Sequence, residues 1–186
     1  MARAEDIQRF VVITGGPGSG KTTLIEALSK RGFATSPEAG RAIIRDQVGI
    51  GGQALPWADR ELFAELMLSW ELRSHQAARE QAGLVIFDRG VPDIAGYLRL
   101  SGLGVPTHVD NAARRFRYRS EVFIAPPWRE IFGQDEERKQ DFAEAERTYE
   151  AMVAAYDDYG YRLCEVPRCR VEERVEFIRA RITGAS

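Results

Sequence analysis

The sequence predicts a three-layer α/β domain, a five-stranded parallel sheet with helices on both faces, and three observations predict it. Five short runs rich in β-branched and aromatic residues alternate with longer segments of helical periodicity. The 186 residues contain no internal repeat, low-complexity tract or Pro/Ser-rich linker, so one domain over 1–186 is expected. The first apolar run ends in a glycine-rich turn that leads directly into a helical pattern.

Phe10–Thr14 reads as a buried parallel strand, and Thr22–Arg31 as a helix closed by Gly32. Phe33–Ser36 is a short second strand. Ala39–Gln47 looks helical, and the glycine-rich stretch Val48–Pro56 reads as a loop. A long helix follows over about Trp57–Ala82, with Phe63, Met67 and Trp70 forming one apolar stripe assigned to the core. Leu84–Asp88 is the third strand. Helical patterns near Asp93–Leu100 and Asn111–Arg117 precede a fourth strand, Glu121–Ala125. Pro126-Pro127 stops that strand, and about 128–140 forms a charged connector. A helix ending near Tyr159, a fifth strand at Tyr161–Val166 and a last helix with Val171, Val175, Ile178 and Ile182 complete the chain.

Charge and composition exclude several classes. With 26 Lys+Arg against 28 Asp+Glu the net charge is -2, which gives no overall attraction to nucleic acid or an anionic membrane. No apolar run approaches the roughly 18 residues of a membrane span. Cys164 and Cys169 read as reduced thiols, and with an acidic N-terminal stretch the expected compartment is the cytoplasm. A monomer and a homodimer are both compatible with the sequence. His75 and His108 have no paired nucleophile in view and are expected to be non-catalytic. Arg114–Arg119 alternates basic and aromatic residues, but reads as a helix end feeding a strand.

The chemistry lies in Gly15-Gly16-Pro17-Gly18-Ser19-Gly20-Lys21-Thr22, which satisfies G-x-x-x-x-G-K-[ST] between a strand and a helix. Such a loop turns successive backbone N–H groups inward around the phosphates of ATP or GTP. Gly16, Gly18, Ser19 and Gly20 supply the cradle, and Thr23 caps the α-phosphate through its N–H. Lys21 neutralises the β/γ region, and Thr22 offers its hydroxyl to Mg²⁺. The second expected Mg²⁺ ligand is Asp88, closing an apolar strand; the alternative is a carboxylate that caps the next turn.

Together with Pro37-Glu38-Ala39-Gly40-Arg41 and Phe87-Asp88-Arg89-Gly90, this loop resembles a family of P-loop ATPases. That family is akin to the ribosylnicotinamide kinase domain of the bacterial NAD regulator and to the fly photoreceptor translocation-defect protein. It is more distantly similar to thymidylate and deoxynucleoside kinases. The resemblance implies strand order 2-3-1-4-5, with the Asp88 strand beside the phosphate-loop strand. It implies that Glu38 accepts the proton of an acceptor hydroxyl, a role that suits a carboxylate if burial beside the phosphates raises its pKa; the alternative is a helix N-terminal acid favoured by the macrodipole. Arg89 would align acceptor and phosphate, with Gly90 marking a departure in acceptor recognition. Over 128–140 it implies a small lid, where Arg138, ahead of Arg129 and Lys139, closes on the transferring phosphoryl. The donor base is expected near Val166–Arg170, with Arg168 as its contact, and the acceptor between Gly49–Trp57 and Arg89–Tyr97, near Arg45, Trp57 and Asp93. The implied function is a Mg²⁺-dependent kinase for an unidentified, nucleoside-like small molecule. The alternatives are an NTP-dependent regulatory ATPase or GTPase, or a lipid- or protein-binding module with slow hydrolysis.

Overall fold

The computed structural model describes residues 4–132 and 141–184. Its centre is β1 (Phe10–Gly15), flanked by β3 (Val85–Asp88) on one side and β4 (Glu121–Ala125) on the other, with β2 (Ala34–Ser36) and β5 (Arg162–Glu165) at the edges. The order is β2-β3-β1-β4-β5 and every pairing is parallel. Ile13 lies opposite Asp88, so the acidic strand ends two residues before the end of the motif strand.

The pleat of β1 divides the core in two, because alternate side chains of a strand face opposite ways. Phe10 and Val12 pack with Phe87, Leu98, Tyr118 and Tyr156. That layer is built by α4 (Arg60–Glu80), α5 (Val91–Leu100), α6 (Thr107–Arg115) and α7 (Phe142–Asp158). Val11 and Ile13 face the other way, onto Leu24 and Leu28 of α2 (Lys21–Lys30) and Ile178 of α8 (Val171–Thr183).

Three elements differ from expectation. A short helix α1 (Ala4–Arg9) precedes β1; it has no apolar period to announce it, and Arg9 ties it to the carbonyls of Gln81 and Gly83. The helix α3 (Ala39–Ile50) runs on through Gly49 into the stretch read as a loop, and stops where Gly51 takes a left-handed φ of 70°. The long helix α4 begins after Asp59, whose carboxylate accepts from the Leu62 N–H at 2.9 Å, and not at Trp57. Its buried residues are Phe63, as expected, and Ala64, Leu68, Glu71, His75 and Ala78, whereas Met67 and Trp70 are only half-buried.

Side chains set aside in the sequence take structural places. His75 is fully buried among Phe10, Phe116 and Tyr118, with Nε2 2.9 Å from the Arg117 carbonyl. Arg117 stacks over Tyr161 and Arg119 binds the carbonyls of Arg181 and Ile182, so the Arg-rich segment clamps strands to helices. Cys164 and Cys169 are both free. Among the described residues no helix is long and apolar enough to cross a membrane.

Candidate phosphate-binding and acceptor site

The turn between β1 and α2 is open and lined by backbone. Gly18 and Gly20 have φ of 69° and 76°, a conformation other residues rarely adopt. A Cβ on Gly20 would stand 2.8 Å from an Arg174 Nη1, and one on Gly18 would collide with the Phe132 ring. The Gly16 carbonyl accepts from Ser19 Oγ at 2.9 Å and lies 3.4 Å from Lys21 Nζ. From α8, Arg174 Nη2 donates to the Ser19 carbonyl at 3.2 Å and braces the loop from below.

Lys21 is only 7% exposed. Burial, helped by the charge of Arg89, lowers its pKa to about 8 although Asp88, Glu38 and Asp93 pull it up. Asp88 is also buried, and that burial raises its carboxyl above the ordinary range against the pull of Lys21. Among the described residues Asp88 Oδ1 has no hydrogen-bond partner, so this oxygen does not cap the following turn. The cap of α5 belongs to Asp93, which accepts from the Gly90 N–H.

Arg89 follows in a left-handed backbone conformation, φ 77°, with its N–H on the Ile13 carbonyl at 3.1 Å. Such a φ costs a non-glycine residue about 1–3 kcal/mol and persists where the surroundings over-determine it. Here the guanidinium is held between Glu38 Oε1 at 3.3 Å and Asp93 Oδ1 at 3.1 Å. Asp93 also accepts from Thr14 Oγ1 at 2.5 Å and Tyr156 OH at 2.6 Å. Gly90 fits because a Cβ would stand 3.0 Å from the Tyr118 ring and 3.2 Å from the Tyr156 hydroxyl.

Burial does not leave Glu38 with a raised pKa. Although burial opposes ionisation, Arg89, Lys21 and Arg41 outweigh it and hold the carboxyl below its ordinary value. Glu38 occupies the position before α3 but makes no side-chain cap there; its carboxylate goes to Arg89 and to Arg41, the latter at 3.3 Å. Glu38 thus faces the cleft while also standing at the N-terminus of α3, where the helix dipole favours an acid.

A cavity of about 1290 Å³ joins these parts. Pro17–Thr23, Glu38, Arg89 and Asp93 are all on its wall, and Trp57 stands at it 66% exposed. Asp93, expected as an acceptor contact, has both oxygens taken, and Arg45 is directed to Asp46 at 3.7 Å. Phe63 and Met67, read as core, line the cavity. Arg168 is absent from the wall; it is exposed and binds the Pro127 carbonyl at 3.0 Å. Cys169, Arg170, Val171 and Arg174 line that end, with Trp128 and Ile131. Of the lid arginines, Arg129 lies over Phe142, 4.0 Å from its ring centre, while Arg138 and Lys139 fall outside the described residues.

Thr22 is exposed to the cavity and Asp88 offers a buried, unengaged oxygen, a pair that fits a Mg²⁺ ion. Among the described residues no cluster of three acidic, His or Cys side chains could hold a metal by itself. Mg²⁺ does not require one, since it binds through one or two protein oxygens together with phosphates and water.

A phosphate loop on the central strand of a 2-3-1-4-5 parallel sheet, beside a strand ending in Asp, defines a P-loop kinase-like fold. A family model described as an AAA domain matches residues 10–174, and the chain belongs to that family. No curated protein matches the chain. Among solved structures it is similar to deoxyadenosine kinase from M. mycoides with products dCMP and a flexible dCDP bound, at 16% identity and TM-score 0.69, covering 94% of this chain and 99% of that one. It is similar to the NadR protein in complex with NR, at 15% identity and TM-score 0.71, over 97% of this chain and 53% of NadR. Thymidylate kinase from Ehrlichia chaffeensis matches at 16% identity and TM-score 0.63, over 92% and 97% of the two chains. At these identities the likeness establishes the fold, and it is the fold implied by the sequence motifs.

Proposed function

We propose that the chain is a Mg²⁺-dependent kinase that transfers the γ-phosphoryl group of ATP or GTP to a hydroxyl of a small, nucleoside-like acceptor. The observation that carries this reading is the cavity. Its 1290 Å³ exceeds the roughly 300–1,000 Å³ of a single-ligand site, and its wall runs from the phosphate loop to the aromatic pair Phe63 and Tyr97. A regulator that only binds and hydrolyses NTP has no use for the second part.

In this reading Lys21 and the loop amides grip the β- and γ-phosphates, and Thr22 and Asp88 hold Mg²⁺. The ion, when bound, neutralises phosphate charge. Arg89, braced on both sides, is the residue that aligns acceptor and phosphate in this reading, and Arg138, outside the described residues, is the lid arginine that the resemblance implies. Glu38 orients the acceptor hydroxyl and takes its proton. A weak base suffices, because phosphoryl transfer passes through a loose transition state with little early demand for the proton.

Glu38→Gln is expected to retain NTP affinity within a few-fold and to lower acceptor-stimulated NDP release by about 10²–10⁴-fold. Because the Glu38 pKa is depressed below its ordinary 4.5, the wild-type rate should fall through this group only as the pH drops below that value. NDP release is measured with a panel of nucleosides, nucleotides and sugars. A panel without any phosphorylated product, or full stimulation of the Gln variant, removes the kinase assignment.

A further inference from the structure

Glu71 is 4% exposed, yet among the described residues no hydrogen bond or ion pair reaches its carboxyl. It follows Met67 by one turn of α4 and belongs to the same cavity wall as Phe63, Met67 and Tyr97. The Phe63 and Tyr97 rings meet edge to face, with centroids 5.5 Å apart. The wall thus combines flat apolar surface with one carboxyl group that the protein leaves unengaged. Polar groups of buried side chains are nearly always paired, and a carboxyl that meets only the cavity is free to take a partner from what fills it.

We propose that Glu71 selects the acceptor by accepting a hydrogen bond from an amino group carried on a planar ring that lies against Phe63, Met67 and Tyr97. This rests on the kinase reading and narrows its acceptor to amino-bearing ring compounds with a free hydroxyl. A site built around a hydrogen bond rejects analogues that lack the donor, because its own polar group is then left unpaired.

The electrostatics agree. Burial holds the Glu71 carboxyl well above the usual carboxylate range, Asp93 and Asp88 push the same way, Arg89 opposes them and Glu38 adds to the rise. Tyr118 is the further titratable group coupled to it. A neutral carboxyl offers one carbonyl oxygen and one O–H, the same pair of functions as a primary amide. Glutamine should therefore replace Glu71 where an aliphatic residue cannot.

The test titrates two matched pairs of nucleosides, adenosine against purine riboside and cytidine against 2-pyrimidinone riboside. Each is added to the full chain saturated with a non-hydrolysable ATP analogue and Mg²⁺, with affinities read by calorimetry. Wild type is expected to bind the amino member of at least one pair about 10-fold or more tightly than its partner. Glu71→Gln should keep that preference, and Glu71→Leu should abolish it by weakening the amino member about 10–100-fold. Glu71→Met serves if the Leu variant does not fold. Equal affinities within both pairs on wild type, binding of none of the four, or an intact preference in the Leu or Met variant overturns the proposal. Product formation with ATP, followed in parallel, separates the two claims. Amino preference without product keeps the role of Glu71 and removes the kinase reading; equal turnover of both members of each pair keeps the kinase and removes Glu71.

Discussion

Lys21→Met should stabilise the unliganded protein and abolish its grip on nucleoside triphosphate. The Lys21 ammonium is buried, and its pKa falls from 10.5 to about 8. Between those values the unfolded chain holds a proton that the folded chain has released, so wild-type stability rises with pH across that window. Below pH 8 both states are protonated and the folded state bears the full penalty, at most about 3 kcal/mol. Methionine keeps the packing volume and removes the charge. The variant should melt up to about 10 °C above wild type near pH 7, and the difference should vanish as the pH approaches 10.5. Its affinity for a non-hydrolysable ATP should drop about 100-fold or more, as when one partner of a buried charge pair is removed. Calorimetry and a pH series of thermal melts read both effects. An unchanged dissociation constant removes Lys21 from the phosphate site, and a lower melting temperature at pH 7 shows that the ammonium stabilises the fold.

The same loop shows how much was legible in the sequence. The strands are legible as short apolar runs between helical periods, the phosphate loop from residue types that few other turns require, and the strand order from the resemblance those motifs carry. The far wall was less legible, because a cavity lined by apolar side chains has the same helical period as a core. Phe63 is in the buried core and Met67 packs against it, yet both also face the cavity, and the helical period does not distinguish the two roles. Glu71 stands in the buried line of α4 between Leu68 and His75, where a single Glu in a helix rich in charge gives no sign that it turns inward. Arg168, Arg170 and Arg174 lie within seven residues of one another, and only the path of the turn into α8 decides that the last two line the cavity while the first binds Pro127. The condition that burial raise the Glu38 pKa is not met, because the surrounding cations outweigh burial. The burial of Glu38 was foreseeable, but not the two guanidinium groups and one ammonium gathered around it by three separate elements.

Asp93 carries the second large effect, because one buried carboxylate joins three elements of the site. Its Oδ1 accepts from Thr14 Oγ1 on β1 and from the Arg89 guanidinium; its Oδ2 accepts from the Gly90 N–H and from Tyr156 OH on α7. Thr14 and Tyr156 are both fully buried, so water is poorly placed to replace the lost acceptor. Asp93→Ala should cost about 4 kcal/mol, lowering the melting temperature of a chain this size by about 8–16 °C. Asp93→Asn keeps the shape and one oxygen, and should lose about half as much, since its amide nitrogen faces the Gly90 N–H or the Arg89 guanidinium, neither of which can accept. The ordering Asp, then Asn, then Ala in denaturant midpoint is the signature of acceptor capacity, as opposed to volume. If Ala unfolds within about 1 kcal/mol of wild type, these bonds do not brace the site. Arg89 would then need another reason to keep its left-handed backbone, and Glu38 alone does not supply one, since it reaches only the guanidinium and leaves the turn at Gly90 untied.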